Sequence, residues 1–541
     1  MSRYRSLASY IVVVVVCSVV GGFFGRASLA AQDQIPEQYK TFAAALSAVE
    51  SNYAGEVQSD RLVYGAITGM LQTLDPHSNF MDPRSYAQMR ERQEGRYYGL
   101  GISIQVVDGD ITVFNVFEGS PAYQRGVRRG DVIARIDGTE TKGWTSDQAV
   151  AKLRGPKGTH VGVSLRRAGY PGVIDLQVMR DQIQLPTVPA AFMVDAVTGY
   201  IHVSDFGENT DDELGSALRT LTQKGMRRLV FDLRGNPGGA LDQAIKVSNR
   251  FLPRGDLIVY TRGRIDNSDQ DYRATEQSPY LSIPMVTLVN RSSASASEIV
   301  SGALQDHDRS LIVGETTFGK ALVQSVYRVS QNAGAAITTA RYYTPSGRLI
   351  QRPWDGTFDE YLTYTLREQD ASQGHRPEDL KYTDGGRRVY SGGGVEPDRR
   401  FDGPVRGFSP TRLGRTLDGR NLFDSFSQRF SKRGDTRIAR GTAELRELAP
   451  GFDLTEAMVA EFRAHVEKAG VKVDEADWQK DADFIRAMIR LEIDTDLFGV
   501  AVAAEGLAKS DPQLRYAVGL FSEAQQLLEL GQPATGRRAA R

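Results

Sequence analysis

The chain reads as a multidomain α/β (α+β) protein: N-terminal helices, a small β domain, a strand–helix core and a helical C-terminal region. Three observations predict this. Apolar residues recur at helical spacing up to about residue 94 and switch to a period of two from Tyr97. Between 184 and 400, strand-like runs alternate with helical ones. Beyond 400 the sequence turns charged and helical. A length of 541 residues gives ample chain for a large core.

The elements follow in order. Arg3 and Arg5 precede an apolar run at 10–24, and Ser28-Leu29-Ala30 supplies small residues where a signal peptidase reads. Residues 1–30 are therefore expected to be a signal peptide or an N-terminal membrane anchor. The apolar run falls short of the ~20 residues that span a bilayer comfortably. Cys17 follows Val16 rather than a small residue, a poor match to a lipid-attachment site. This leader predicts a protein of the bacterial envelope, on the periplasmic side, free or tethered to the inner membrane.

Residues 37–94 form a helical segment. Tyr39, Phe42, Leu46 and Val49 mark one helix, and Leu62, Ile67, Met70, Leu71 and Leu74 a second. Asp75-Pro76-His77 breaks the pattern, and His77 is expected to be a solvated loop residue. Residues 95–182 form the β domain. Ile102, Ile104 and Val106 alternate, Asp108-Gly109-Asp110 turns the chain, and Ile111 and Val113 return it. A short helix at 146–154, capped by Thr145 or Ser146, precedes the strand of Val161, Val163 and Leu165.

Residues 183–400 form the core domain, with strands expected at 200–206, 229–233, 257–260, 285–289 and 311–313. Helices are expected at 211–223, 241–251 and 295–304. Residues 401–541 form a helical extension. Phe484, Met488 and Leu491 make one apolar stripe there, Leu514, Val518 and Phe521 another, and Asp511-Pro512 an N-cap and first helical residue. Residues 533–541 read as a frayed tail.

Charge and cysteine usage exclude several classes. Lys plus Arg (66) nearly cancels Asp plus Glu (67), for a net charge of -1, which argues against a nucleic-acid partner. One cysteine builds no disulfide or thiolate site, and the six histidines show no HExxH pair. Neither a metal nor an organic cofactor is expected.

Three segments carry candidate chemistry. In Asn290-Arg291-Ser292-Ser293-Ala294-Ser295-Ala296-Ser297-Glu298 an apolar strand runs into small residues that start a helix. Small side chains let backbone N–H groups approach a substrate, and a helix N-terminus favours an oxyanion, so a serine here is placed like a nucleophile. Serine capping of a helix explains the same residues, and the segment alone leaves both readings open. In Gly314-Glu315-Thr316-Thr317-Phe318-Gly319-Lys320 a lysine follows the next strand. It acts as a base only as the neutral amine, which apolar burial favours. Phe318, Leu322 and Val323 can supply such surroundings, and Gln324 can orient the amine. A phosphate loop is excluded, because Ala321 stands where Ser or Thr would follow the lysine. In Asp232-Leu233-Arg234-Gly235-Asn236-Pro237-Gly238-Gly239 consecutive glycines expose backbone amides, either as an oxyanion hole or simply as a tight turn.

Together these segments resemble the carboxyl-terminal processing peptidases, or tail-specific proteases, of the S41 serine peptidase family. The resemblance covers residues 37–400 through LDPHSNFMDP (74–83), YGLGISI (98–104), EGSPAYQRGVRRGDVIARIDG (118–138), DLRGNPGG (232–239), SASASE (293–298), VGETTFGKALVQ (313–324), ARYYTPSGRLIQ (340–351) and YSGGGVEPD (390–398). It implies a protease core of mixed sheet and helices with an inserted PDZ-like domain. It also implies Ser295 as nucleophile, Lys320 as general base and Gln324 as the residue that positions the lysine. The backbone amides of Gly238, Gly239 and Ala296 would form the oxyanion hole, with Ser293, Ser297 and Asp306 in structural roles. Gly99, Leu100, Gly101 and Ile102 match the loop and strand that bind a tail carboxylate. The implied partners are proteins or peptides with free, rather apolar C-terminal tails. An adaptor or a second copy of the chain is the expected occupant of the helical regions. Ala321 stands where the family commonly has glycine, an exchange that costs about 1 kcal/mol where φ is positive. A catalytically weak PDZ scaffold, an esterase on the same core and a Ser-His-Asp triad using His202 or His307 are the alternatives.

Overall fold

The computed structural model describes residues 37–117, 119–167, 170–330, 332–354, 361, 375–401, 410–433 and 445–531. The leader expected at 1–30 and the tail at 533–541 lie outside them. Two units separate by contacts, one up to Asp75 and one from Pro76 onward. The first holds the two expected helices, α1 (Glu37–Asn52) and α2 (Ser59–Gln72).

The second unit opens with β1 (Asn79–Met81) and α3 (Pro83–Glu94). Asp82 caps α3 by accepting from the Ser85 N–H (2.7 Å), and Gly95 ends it at φ 62°. The sequence grouped α3 with the N-terminal helices; its contacts place it in this larger unit. His77 is not a solvated loop residue, because its Nε2 lies 2.8 Å from the Tyr361 hydroxyl and the two rings meet edge to face.

The β domain hangs on a two-stranded stem of β2 (Arg96–Gly99) and β9 (Asp181–Gln184). Its sheet has the order β3 (Ile102–Val107), β4 (Asp110–Val116), β5 (Val132–Ile136), β7 (His160–Arg166), β8 (Val173–Met179), with β6 (Thr139–Glu140) on β5. Alternation buries Ile111, Val113, Ile133, Val161 and Leu165 in one core beneath two helices, α4 (Pro121–Gln124) and α5 (Ser146–Leu153). Strand β3 lies at the sheet edge, with one backbone ladder open.

The core sheet runs β10 (Ala190–Met193), β11 (Thr198–His202), β12 (Arg228–Asp232), β15 (Met285–Val289), β16 (Leu311–Gly314), β21 (Arg399–Arg400). All its neighbours pair parallel except β10 with β11. Both faces are buried, as parallel strands require. Ile201, Phe231 and Ile312 face one core with α6 (Thr210–Gln223), α7 (Leu241–Asn249) and α8 (Ala296–Asp306). Val230, Leu288 and Val313 face the other, closed by α14 (Val500–Ser510), α15 (Pro512–Gly519) and α16 (Phe521–Gly531). Strand β11 is shorter than expected: Val203 to Asp205 leave the sheet and Phe206 bridges Gly239 instead.

A second, antiparallel sheet joins β1, β13 (Leu257–Gly263), β14 (Gln270–Arg273), β17 (Leu322–Arg328) and β18 (Gly334–Tyr343). A hairpin of β19 (Leu380–Tyr382) and β20 (Arg388–Tyr390) follows. The C-terminal region adds its own core from α9 (Arg412–Gly419), α10 (Leu422–Ser427), α11 (Glu456–Lys468), α12 (Glu475–Lys480) and α13 (Ala482–Phe498). The small pair β22 (Phe430–Lys432) and β23 (Arg446–Leu448) lies beside it. Phe423, Phe426, Phe462, Ile485 and Ile489 fill this core. Of the predicted α13 stripe Phe484 is buried and Met488 packs beside it, while Leu491 is half-buried and Ile489 and Ile493 take the inner face. Among the described residues no helix is long and apolar enough to cross a membrane.

Candidate active site

The parallel strand β15 delivers Asn290 to Ser295 to the start of α8. Ser295 is the N-cap of that helix, at φ 54° and ψ -112°. A non-glycine residue in this conformation stores roughly 1–3 kcal/mol of strain and marks a site that its surroundings hold in place. Those surroundings are identifiable. The Ser293 hydroxyl donates to the Leu233 carbonyl (2.8 Å) and the Ser297 hydroxyl to the Asn236 carbonyl (2.9 Å). Both serines are fully buried, in the structural roles expected of them. Ser295 between them is half-buried.

Glu298 is the hub of the site. It is completely buried, and its carboxylate accepts four hydrogen bonds. Oε1 accepts from the Thr317 hydroxyl (2.5 Å) and the Gly319 N–H (2.7 Å). Oε2 accepts from the Ser295 N–H (2.8 Å) and the Lys320 N–H (2.9 Å). One oxygen therefore ties the serine backbone to the lysine backbone. A second tie is independent of it: the buried Tyr342 hydroxyl donates to the Lys320 carbonyl and lies 3.1 Å from the Ser295 carbonyl. Burial raises the Glu298 carboxyl to about 7, against the four donors that lower it. Burial also raises the Tyr342 phenol well above its usual range, so it stays a donor.

Ala321 follows Lys320 without a positive φ, is fully buried, and donates its N–H to Gln351 Oε1 (2.8 Å). The strain expected of alanine at this position is absent. Gln324, on β17, donates to the Thr338 hydroxyl of β18 (3.3 Å).

The Asp232–Gly239 loop lies against the nucleophile segment. Gly238 (φ 99°) and Gly239 (φ 150°) need to be glycine: a Cβ on Gly238 would stand 2.7 Å from Ser295 Cβ, and one on Gly239 2.3 Å from the Phe206 carbonyl oxygen. The Gly238 N–H is engaged by Asn236 Oδ1 (2.8 Å). The Gly239 and Ala296 amides meet no acceptor among the described residues. Asn236 is buried, donates to the Val203 carbonyl (2.8 Å), and accepts at its own carbonyl from the Ala294 N–H (3.0 Å).

Neither histidine of the alternative triad approaches this centre through its bonds. His307 caps the far end of α8, about 16 Å away along an 11-residue helix, and bonds Asp384 and the Leu257 carbonyl. His202 contacts the Arg234 carbonyl. Asp306 pairs with buried Arg348 and accepts from the Ser346 N–H (2.9 Å). Among the described residues no three His, Cys, Asp or Glu side chains gather as a metal site.

In the β domain, Gly99 to Ile102 form the start of a groove between edge strand β3 and helix α5. A cavity of about 420 Å³ there is lined by Leu100, Ile102, Ile104, Val150 and Leu153, with Glu91 and Arg92 of α3 at its border. Arg154 pairs with Glu91 at this rim.

Sequence reasoning assigned no role to Glu298, Tyr342 or Asn236. For Glu298 the signal was present: Ser295-Ala296-Ser297-Glu298 has the spacing of a capping box. Tyr342 lies in the motif at 340–351, but that run does not say what it touches, since it reaches the site through the pairing of β17 with β18.

Profiles of known protein families match three parts of the chain. The profile of peptidase family S41 matches residues 197–357, and that of the PDZ domain residues 88–166. The profile described as activating protease CtpB N-terminal domain matches residues 25–85. A carboxy-terminal-processing protease of Bartonella bacilliformis is 39% identical over 319 residues, 58% of this chain and 73% of that protein. The carboxy-terminal processing protease CtpA of Bacillus subtilis is 37% identical over 305 residues, 56% of this chain and 65% of that protein. A solved photosystem II D1 C-terminal processing protease is 28% identical, covering 69% of this chain and 95% of that one, with a TM-score of 0.35.

Proposed function

The chain belongs to peptidase family S41, among its carboxy-terminal processing proteases, and from that membership we propose a Ser295/Lys320 dyad that cleaves exported proteins bearing free, apolar C-terminal tails. The protein is a serine-type endopeptidase with a PDZ domain. The observation that supports the dyad is the double tie of Ser295 to Lys320 through Glu298 and Tyr342.

Ser295 Oγ adds to the scissile carbonyl carbon while Lys320 Nζ, as the neutral amine, takes its proton. The Gly239 and Ala296 amides receive the oxyanion, and the glycine at 238 keeps the approach open. Collapse breaks the C–N bond, and the proton passes from Nζ to the leaving amine. Water, deprotonated by Lys320, then hydrolyses the ester. Gln324 steadies the lysine from β17. The edge of β3 binds the tail as an added strand, the amides of Gly99 to Ile102 hold its carboxylate, and Leu100, Val150 and Leu153 take its last side chain. Export rests on the basic and apolar leader at 1–30.

The test is cleavage of an unstructured peptide with an apolar C-terminus by the full chain. Turnover by wild type, with none by Ser295→Ala or Lys320→Ala, is the expected result. The amide form of the peptide should be cut far more slowly than the acid. Equal cleavage of both would remove the tail from the proposal, and turnover by Ser295→Ala would remove the dyad.

A further inference from the structure

The loop that carries the Gly238 and Gly239 amides has three glycines at positive φ, Gly235, Gly238 and Gly239, so its backbone has little stiffness of its own. An oxyanion donor works only within a few tenths of an ångström of its target distance. The loop is fixed at its centre by Asn236 and at its entry by Arg234. The Arg234 guanidinium forks onto Asp232 at the end of β12, with Nε at 2.9 Å from Oδ1 and Nη2 at 2.5 Å from Oδ2. Asp232 is itself buried and accepts from the Tyr200 hydroxyl (2.6 Å).

The other side of the guanidinium is held by the C-terminal extension. Nη2 lies 2.7 Å from Asp511 Oδ2, and Nη1 donates to Gln513 Oε1 (3.0 Å). Asp511 is also the N-cap of α15, accepting from the Gln513 N–H (2.8 Å) through Oδ1. Gln513 is buried against Gly314, at the end of β16. A cavity of about 660 Å³ adjoins this contact and is lined both by Ser292 of the nucleophile segment and by Leu507 of α14. The S41 profile ends at residue 357, so these two residues lie outside the matched core.

We infer that Asp511 and Gln513 are positioning residues for the protease: through Arg234 they set the loop that presents the oxyanion amides. This rests on the Ser295 reading above. The C-terminal helices thus act on kcat, from the opposite side of the sheet to α8.

The test uses the full chain with Asp511→Asn, which keeps the cap acceptor and removes the ion pair, and with Gln513→Ala. Both are compared with wild type and Ser295→Ala for kcat, KM, thermal midpoint and inhibition by a peptide boronate, whose serine adduct mimics the tetrahedral intermediate. A kcat lower by about tenfold or more in each variant is expected, a part of the 10²–10³ carried by one oxyanion donor. KM should stay within about twofold, boronate affinity should fall in step with kcat, and Asp511→Glu should recover part of both. Wild-type kcat in Asp511→Asn and Gln513→Ala, with Ser295→Ala inactive, would overturn the inference alone. So would a lowered thermal midpoint with unchanged boronate affinity. An active Ser295→Ala would instead overturn the dyad on which it rests.

Discussion

Glu298 faces two opposed demands. Burial favours its neutral form and raises it to about 7, while all four groups that point at it are donors and require the carboxylate. The folded protein therefore binds a proton there between the ordinary carboxylate range and about pH 7, which the unfolded chain does not. Stability contributed by this group is present at low pH, is lost as pH rises through about 7, and is level above it. Site geometry runs the other way, since a protonated carboxyl turns one donor away and loosens Ser295 from Lys320. Glu298→Gln should lower kcat by about a hundredfold, because its NH₂ faces donors. Its thermal midpoint should lose the wild type's decline between pH 5 and 7. Thermal scans across that range, with and without the substitution, check this, and an identical pH slope in both would exclude Glu298 as the titrating group.

Helix α5 shows how one cap serves a binding wall. The Thr145 hydroxyl accepts from the Gln148 N–H (3.3 Å), and the Gln148 side chain accepts from the Thr145 N–H (2.8 Å). The helix has only 8 residues, so its caps weigh heavily in its stability. Thr145→Ala should cost about 1 kcal/mol. Because Val150 and Leu153 line the groove, it should also raise KM for a free-acid tail several-fold while leaving kcat in place. Titration of the tail peptide and denaturant unfolding measure the two effects. The Thr145 cap, the β3–β4 hairpin and the Asp511 cap were all legible in the sequence, because each is a local pattern of turn or cap residues next to a periodic run. Ser295 and Lys320 were singled out through the resemblance to family S41, because a strand end running into small residues suits a helix cap as well as a nucleophile. The β17–β18 hairpin was not legible. Val326 to Arg328 of β17 are exposed in a row and Gly334 to Ala336 of β18 are buried in a row, so neither shows the alternation that marks a one-sided strand. The role of Tyr342 was lost with it. The Asp511–Arg234 contact spans more than 270 positions, and no local pattern encodes it.

At the scale of the whole molecule, the C-terminal extension holds the β domain as well as the sheet. Arg129, in the turn before β5, pairs with Asp424 of α10 (2.5 Å) and with Glu492 of α13, and its guanidinium also lies over the Phe114 ring. Gly130 packs on Gln428 so closely that a Cβ would stand 2.3 Å from its Nε2. One cation thus meets two mostly buried carboxylates, with Asp496 and Asp418 adding to the negative field. Burial first, then repulsion from Glu492 and Asp496, raises Asp424 to about 6 despite Arg129, and burial raises Glu492 as well. The acids that repel these two carboxylates stand on the C-terminal extension, and the β domain brings the cation that attracts them. Arg129→Ala leaves two mostly buried carboxylates unpaired and should free the domain at pH 8. Measured against the unfolded chain, the raised Asp424 carboxyl contributes stability that is present at low pH and lost as pH rises through about 6, so Asp424→Asn should flatten that decline in the thermal midpoint. Hydrogen exchange of the stem strands β2 and β9 at pH 8 reads the docking. Faster exchange in Arg129→Ala than in wild type is expected, and equal rates would show that the contact does not hold the domain.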